Sequence, residues 1–372
     1  MNDRKFFTIF IVCLSILIGI IGIISYLEDP AKIFHSDYEQ KMVDIINSGK
    51  NVANVENYDE RLFNKYLIYQ YPENVDVSVI GSSRIMQIRD SFLPYNLTLL
   101  NNGVSGASIE DEIALIWIYH QKGNLPNHII IGVDPWIFNK NNNQNRWMSI
   151  KGEYECGIDM LQLGNWDSNI HSFLLFNKIR YDVEKYLSLI SRDVLISSLN
   201  NIFLRTIQGN NFEMYPTNEV FSDVGIRLTD GSISYPEKVR NRDIEEVNKM
   251  ASDSISGPIY SLNSFDEIDN ANKNKFMRLI DFLHKEKVQI TIVLPPYHPI
   301  VYDEIKKNTK YRNVLLVEEF LKDFSLGKNI SIVGSYDPLN MNLTSNDFFD
   351  GMHLNLQGVD KLRNNLFPAV FT

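Results

Sequence analysis

The sequence predicts an α/β domain of three layers, helix, sheet and helix, with about five parallel strands, a helical insertion and one apolar helix at the N-terminus. Three observations lead there. Short β-branched runs alternate with stretches whose apolar residues recur every three or four positions; the turns between them are short; and an uncharged run from Phe6 to Tyr26 precedes them all.

At ~1.5 Å per residue, the run from Phe6 to Tyr26 matches the ~30 Å hydrocarbon core of a bilayer. Arg4 and Lys5 precede it, and Glu28 and Asp29 follow. The positive-inside rule then gives a cytoplasmic tail over 1–5, a transmembrane helix over 6–26 and the rest of the chain outside the cytoplasm, at the cell membrane. A cleaved signal peptide is the alternative; Ser25-Tyr26-Leu27 lacks the small-residue pattern of a cleavage site and favours a retained anchor. Residues 27–71, polar with scattered apolar positions, read as a stalk carrying one or two short helices, and 72–372 as the domain.

The first strand is Val75 to Ile80, running into Gly81-Ser82-Ser83; the second, Leu97 to Leu100, ends in Asn101-Asn102-Gly103. Ser108 caps a helix marked by Ile109, Ile113, Ile116 and Trp117, with Asp111 at the capping-box position. His128 to Val133 is the third strand. An insertion over about 139–265 interrupts the alternation with an Asn-rich loop, a helical stretch from His171 to Arg205 and a Gly/Ser/Asp-rich region. A helix with Phe276, Leu279, Ile280 and Leu283 on one face then precedes the strand Val288 to Leu294. A helical stretch between Ile300 and Leu321, a strand Ile330 to Val333 and a last helix with Val359, Leu362 and Leu366 complete the pattern. No internal repeat is visible.

At 372 residues, with 44% hydrophobic and 22% charged, the chain is long and apolar enough for a full core. A net charge of −10 with no Lys/Arg run excludes a nucleic-acid partner. Cys13 lies in the apolar run and Cys156 far downstream, so no intramolecular disulfide is expected. His120, His128, His171 and His284 show no ligand spacing, so neither metal nor cofactor is expected, and no Gly-rich phosphate loop occurs. The Asn-x-Ser/Thr triplets at Asn96, Asn329 and Asn342 matter only in a glycosylating secretory pathway.

Parallel sheets bind ligands beyond the carboxyl ends of their strands, which directs attention to the turns there. Gly81-Ser82-Ser83-Arg84 presents a serine at a strand-to-helix turn, where a helix N-terminus supplies free N–H groups. Alone, it reads more readily as a helix cap than as a nucleophile. Asp350-Gly351-Met352-His353, just before the last helix, lets the carboxylate hold the imidazole in one tautomer, and the imidazole serve Ser83 as general base. Ser82 is the alternative nucleophile.

Gly81-Ser82-Ser83, Asn102-Gly103-Val104-Ser105-Gly106 and Asp350-x-x-His353 occur in the order of three sequence blocks of the SGNH/GDSL hydrolases, and the chain resembles that superfamily over about Val75 to Leu366. The resemblance implies a flavodoxin-like SGNH fold, a catalytic triad of Ser83, His353 and Asp350, and an oxyanion hole from the N–H groups of Ser83 and Gly106. The superfamily's third block carries an asparagine donor, whereas this chain reads Gly132-Val133-Asp134-Pro135; loss of such a donor costs ~10² to 10³ in rate. Asp134, a substrate-binding candidate at the rim of the cleft, is expected to turn towards Arg84 or cap backbone donors, and Val133→Asn to raise the rate.

Arg84 is a candidate for binding an anionic acyl donor or pairing with Asp134, against a plain surface charge. Tyr297 and His298, after the fourth strand, are candidates for substrate contact against loop packing. Trp136 and Trp147 favour packing over a sugar-platform role. The serine motif and the anchor resemble a membrane-linked subset that includes D-alanine transfer proteins of teichoic acid synthesis and proteins that acylate or deacylate envelope glycans. That implies a serine esterase or O-acyltransferase acting on an envelope glycan or lipid-linked polymer, with a membrane-embedded acyltransferase as a candidate partner. A non-catalytic glycan-binding or assembly module is the competing reading, favoured by the missing asparagine.

Overall fold

A computed structural model describes residues 3–30, 34, 37–55, 57–93, 97–163, 170–208 and 213–366; Asn96, the first residue of its triplet, lies outside them. Along the chain, α1 (Asp3–Glu28), α2 (Tyr38–Asn47), β1 (Asn51–Ala53) and α3 (Glu60–Gln70) lead into β2 (Val77–Ile80), β3 (Leu99–Asn101), α4 (Ile109–Lys122), β4 (His128–Gly132) and α5 (Lys151–Met160). Next come α6 (Ile170–Ser188), α7 (Arg192–Gln208), three short strands β5 (Tyr215–Thr217), β6 (Ile226–Arg227) and β7 (Ile233–Ser234), then α8 (Glu237–Arg240) and α9 (Ile244–Ser254). The remaining elements are α10 (Asn270–Lys285), β8 (Gln289–Leu294), α11 (Pro299–Lys307), α12 (Arg312–Lys328), β9 (Ser331–Gly334) and α13 (Leu356–Leu366).

The central sheet has five parallel strands in the order β3-β2-β4-β8-β9. From β2 the chain passes to one neighbour, β3, and then crosses to the other, β4. That reversal opens a crevice at the carboxyl ends of β2 and β4, where a doubly wound sheet binds its ligand. Side chains alternate between faces. Ile80, Ile129, Ile131, Ile292 and Leu294 share one core with Leu67 of α3, Ile113 of α4, Phe276 of α10 and Leu321 of α12. Val77, Val79, Ile130 and Val293 share the other with Val359 and Leu362 of α13 and with Ile85 and Phe348. Burial on both faces is why β2, β4 and β8 read as mostly apolar, β-branched runs.

α4 starts at the expected capping box, where the Ser108 N–H donates to Asp111 Oδ2 at 2.9 Å, and stops at Gly123, which adopts φ +71°. The helical stretch expected from His171 to Arg205 is two helices, α6 and α7. Among the described residues α1 is long and apolar enough to cross a membrane: its most apolar 18-residue window has mean hydropathy 3.0 and none of it is buried.

Two expectations need correction. The segment read as a stalk is largely built into the domain, because its scattered apolar positions are the inner faces of two amphipathic helices. Met42 and Val43 of α2 and Phe63 and Leu67 of α3 are fully buried in the core that holds Ile113, and Arg61 forms a buried ion pair with Asp111 at 2.9 Å. The insertion, for its part, returns to that segment: β5, β6 and β7 join β1 in a second, antiparallel sheet of order β5-β1-β6-β7. Strands of two or three residues are too short to show an alternating pattern.

Candidate functional site

The site begins at the carboxyl end of β2. Gly81 has φ +149°, and a Cβ there would lie 2.6 Å from the carbonyl oxygen of Gly132 on β4, so only glycine lets the turn cross the neighbouring strand this closely. The helix expected after Ser83 is instead a 3₁₀ turn, Ser83–Ile85, so a helix macrodipole contributes little at the serine. Ser82 caps that turn, its Oγ accepting from the Arg84 N–H at 3.2 Å, and is fully buried. Ser83 is half-buried. Of the two serines, only Ser83 is open to a substrate.

Ser83 Oγ lies 2.9 Å from His353 Nε2, and His353 Nδ1 lies 2.9 Å from Asp350 Oδ2. Asp350 Oδ1 also accepts the backbone N–H groups of Met352 and His353, each at 2.8 Å. Burial pushes the Asp350 carboxyl up, but the His353 ring and the two N–H groups outweigh it and hold the carboxyl at about 2. The His353 ring lies parallel to Phe349, with 1° between planes, and the Phe349 N–H donates to the His353 carbonyl at 3.1 Å. The side chains of His353 and Asp350 remain 17% and 20% exposed, so solvent and small molecules reach the pair.

Arg84 fixes this loop from below. Its Nε donates to the Met352 carbonyl at 3.0 Å, Nη1 to Asp134 Oδ1 at 2.7 Å, and Nη2 to the carbonyls of Pro295 and Pro296, each at 2.6 Å. Its guanidinium sits 4.1 Å from the Tyr297 ring centroid. One side chain therefore ties together the turns after β2, β4 and β8 and the loop bearing His353. Asp134 faces Arg84; burial raises its carboxyl, with Arg84 opposing.

The four expected substrate-contact residues are thus scaffold. Arg84 is 4% exposed, Asp134 1%, and Tyr297 and His298 not at all. His298 Nδ1 accepts from the Ile300 N–H at 3.2 Å, capping α11, and its own backbone N–H donates to the Gly351 carbonyl at 3.1 Å. Trp136 is also buried, its Nε1–H donating to the Ala107 carbonyl at 2.9 Å, and Trp147 packs edge-on against Tyr154. Val133 belongs to the helix-covered core beside Ile131, so an asparagine there would bury its amide instead of reaching the oxyanion, and Val133→Asn brings no gain in rate.

Burial lowers the His298 imidazole to about 4, with nearby Asp350 opposing weakly. The folded protein therefore holds His298 neutral while an unfolded chain takes up a proton below about 6.5. Stability on this account is constant above pH 6.5 and falls as the pH drops towards 4, by on the order of 2–3 kcal/mol. In urea titrations across that window, His298→Asn, which keeps a capping acceptor, should flatten the slope; an unchanged slope would place the acid sensitivity elsewhere.

The opposite wall is the segment after β3. The Asn102 N–H donates to the Val79 carbonyl at 2.7 Å and the Val104 N–H to the Gly81 carbonyl at 2.9 Å, so this segment runs beside the serine turn. Asn101 Nδ2 reaches the carbonyls of Ile85 at 2.9 Å and Ile88 at 2.7 Å, clamping the turn that follows Ser83. Sequence reading assigned Asn101 no role; a strand ending in two adjacent asparagines was the available sign. Gly106 has φ +58°, and a Cβ there would collide with the Tyr260 hydroxyl and the Arg146 guanidinium. Among the described residues, neither the Ser83 nor the Gly106 N–H donates to a backbone carbonyl.

A cavity of about 700 Å³ adjoins this wall, lined by Ser105, Glu60, Arg61, Arg146, Tyr181 and Lys185 among others; neither Ser83 nor His353 lines it. Among the described residues, no cluster of His, Cys, Asp and Glu is arranged to hold a metal ion. The arrangement suits acyl transfer through a serine nucleophile. Compared with known proteins, the chain matches no protein-family model, and no curated protein matches it significantly.

Proposed function

We propose that this protein is an SGNH-type serine esterase or O-acyltransferase, anchored by α1 with its domain outside the cytoplasm, that acts on an envelope glycan or lipid-linked polymer through a Ser83 acyl-enzyme. The observation that carries this reading is the continuous hydrogen-bonded chain from Ser83 through His353 to Asp350. As Ser83 Oγ attacks an acyl carbonyl, His353 Nε2 takes its proton, and Asp350 holds the Nδ1–H and stabilises the imidazolium. The oxyanion is received by the backbone N–H groups of Ser83 and Gly106. His353 then returns the proton to the departing alcohol. Water or a sugar hydroxyl, deprotonated by the same ring, releases the acyl group, and the choice between them separates esterase from transferase. A membrane-embedded acyltransferase is a candidate donor partner for the second case.

A non-catalytic binding or assembly role is the second reading, favoured by one feature: the residue turned towards the site after β4 is Asp134, which donates nothing to an oxyanion and is engaged by Arg84. Fluorophosphonate labelling of the full-length protein in membranes discriminates the two. The enzyme reading predicts labelling of wild type and none of Ser83→Ala. Absence of labelling in folded wild-type protein would favour the binding module.

A further inference from the structure

α6 carries its polar and apolar faces the reverse of a helix that covers a water-soluble domain. Tyr181, Lys185 and Ser188 face the cavity beside Ser105. Ile179, Val183 and Leu187, on one stripe of the opposite face, are 54%, 49% and 56% exposed, and Ile190 in the turn that follows α6 is 47% exposed. On α7, Leu199 and Phe203 are similarly open, at 49% and 57%. A contiguous apolar surface of this kind marks something that covers it.

The neighbouring helix identifies the cover. α7 packs against α1, the helix long and apolar enough to cross a membrane. Contact is at the end of α1 nearest the domain: Ser25 is fully buried while the residues before Ile21 are open. Ser198 of α7 is fully buried as well, and small residues allow helices to approach closely. α6 is tied to the same place, since the rings of Tyr26 and Tyr186 both meet Phe34, at 5.4 and 5.8 Å, and Lys185 Nζ lies 5.0 Å from that ring. The open apolar residues of α6 and α7 therefore sit beside the end of α1, where a membrane-spanning helix leaves the lipid.

We propose that α6 and α7 form a foot lying in the bilayer interface beside α1, with Ile179, Val183, Leu187, Ile190, Leu199 and Phe203 among the acyl chains. Interfacial helices bind this way, apolar face down and polar face up. Here the polar face is a wall of the cavity, which places the cavity about one helix diameter, ~10 Å, above the lipid. This inference stands without the catalytic reading.

The test uses the full-length protein reconstituted in vesicles of phosphatidylglycerol and phosphatidylcholine, with Cys13 and Cys156, both exposed, replaced by serine. An environment-sensitive fluorophore is attached at Val183→Cys, Leu199→Cys or, as a water-facing control on α12, Leu326→Cys, a position 83% exposed. A label on native Cys13 alone reports whether α1 is inserted. The foot predicts that labels at 183 and 199 are quenched severalfold more by nitroxide lipid than the label at 326, and are shielded from iodide. Iodide access at 183 and 199 equal to that at 326 would overturn the proposal. Shielding from iodide without lipid quenching would overturn it too, because a protein partner or second copy would then cover the face.

Discussion

His353→Ala is expected to slow labelling and any ester turnover by on the order of 10⁴ to 10⁶, as much as Ser83→Ala, because the two act as one unit. Among the described residues the ring is the base in reach: its Nε2 lies 2.9 Å from Ser83 Oγ, whereas buried His298 is committed to capping α11. Asp350→Asn should cost somewhat less, on the order of 10⁴. It removes the acceptor that fixes the tautomer yet can keep the backbone contacts to Met352 and His353. Initial rates on a small activated ester check the order. An Asp350→Asn variant as active as wild type would mean that the aspartate only shapes the loop.

Arg84→Met is expected to lower stability by about 3–5 kcal/mol, the usual cost of stranding one member of a buried ion pair. Asp134 would be left without its cation, and the carbonyls of Pro295, Pro296 and Met352 without a donor. Because the Met352 carbonyl lies in the loop that carries His353, labelling of Ser83 should fall in whatever protein still folds. Arg84→Lys keeps the charge but cannot bridge all four acceptors, and should fall between. Combining Arg84→Met with Asp134→Leu should recover much of the stability but not the labelling. Urea unfolding measures the first and probe kinetics the second; a loss under 1 kcal/mol for Arg84→Met would show that the network is not what holds the loop.

What the sequence disclosed follows from the physics of each part. The inner strands β2, β4 and β8 were legible because burial on both faces leaves β-branched runs, and the Ile109–Lys122 helix because Ser108 and Asp111 form its cap in sequence-local fashion. Ser83, Asp350 and His353 were legible because two short motifs, one after a strand and one before the last helix, fit one chemistry; their spacing needed only the sheet to bring them together. The contribution of 38–70 was hidden because α2 and α3 bury narrow stripes and leave most residues polar. The pairing of Asp134 with Arg84 was legible and is present at 2.7 Å; the alternative of substrate contact misled, because charged residues beside a candidate nucleophile suggest it, and only the carbonyls of Pro295, Pro296 and Met352, brought from distant parts of the chain, show that the charge is consumed internally. His298 is the same case, a histidine in a post-strand loop whose ring is spent on its own helix.

Whether Ser83 becomes covalently acylated is decided by mixing the full-length protein with 4-nitrophenyl acetate, quenching in acid within the first turnover and mass-mapping the peptides. An added acetyl group is expected on Ser83, accumulating in a burst in the wild type and absent from His353→Ala. Acetylation confined to another residue, or none on Ser83 in protein shown to be folded, would contradict a Ser83 acyl-enzyme.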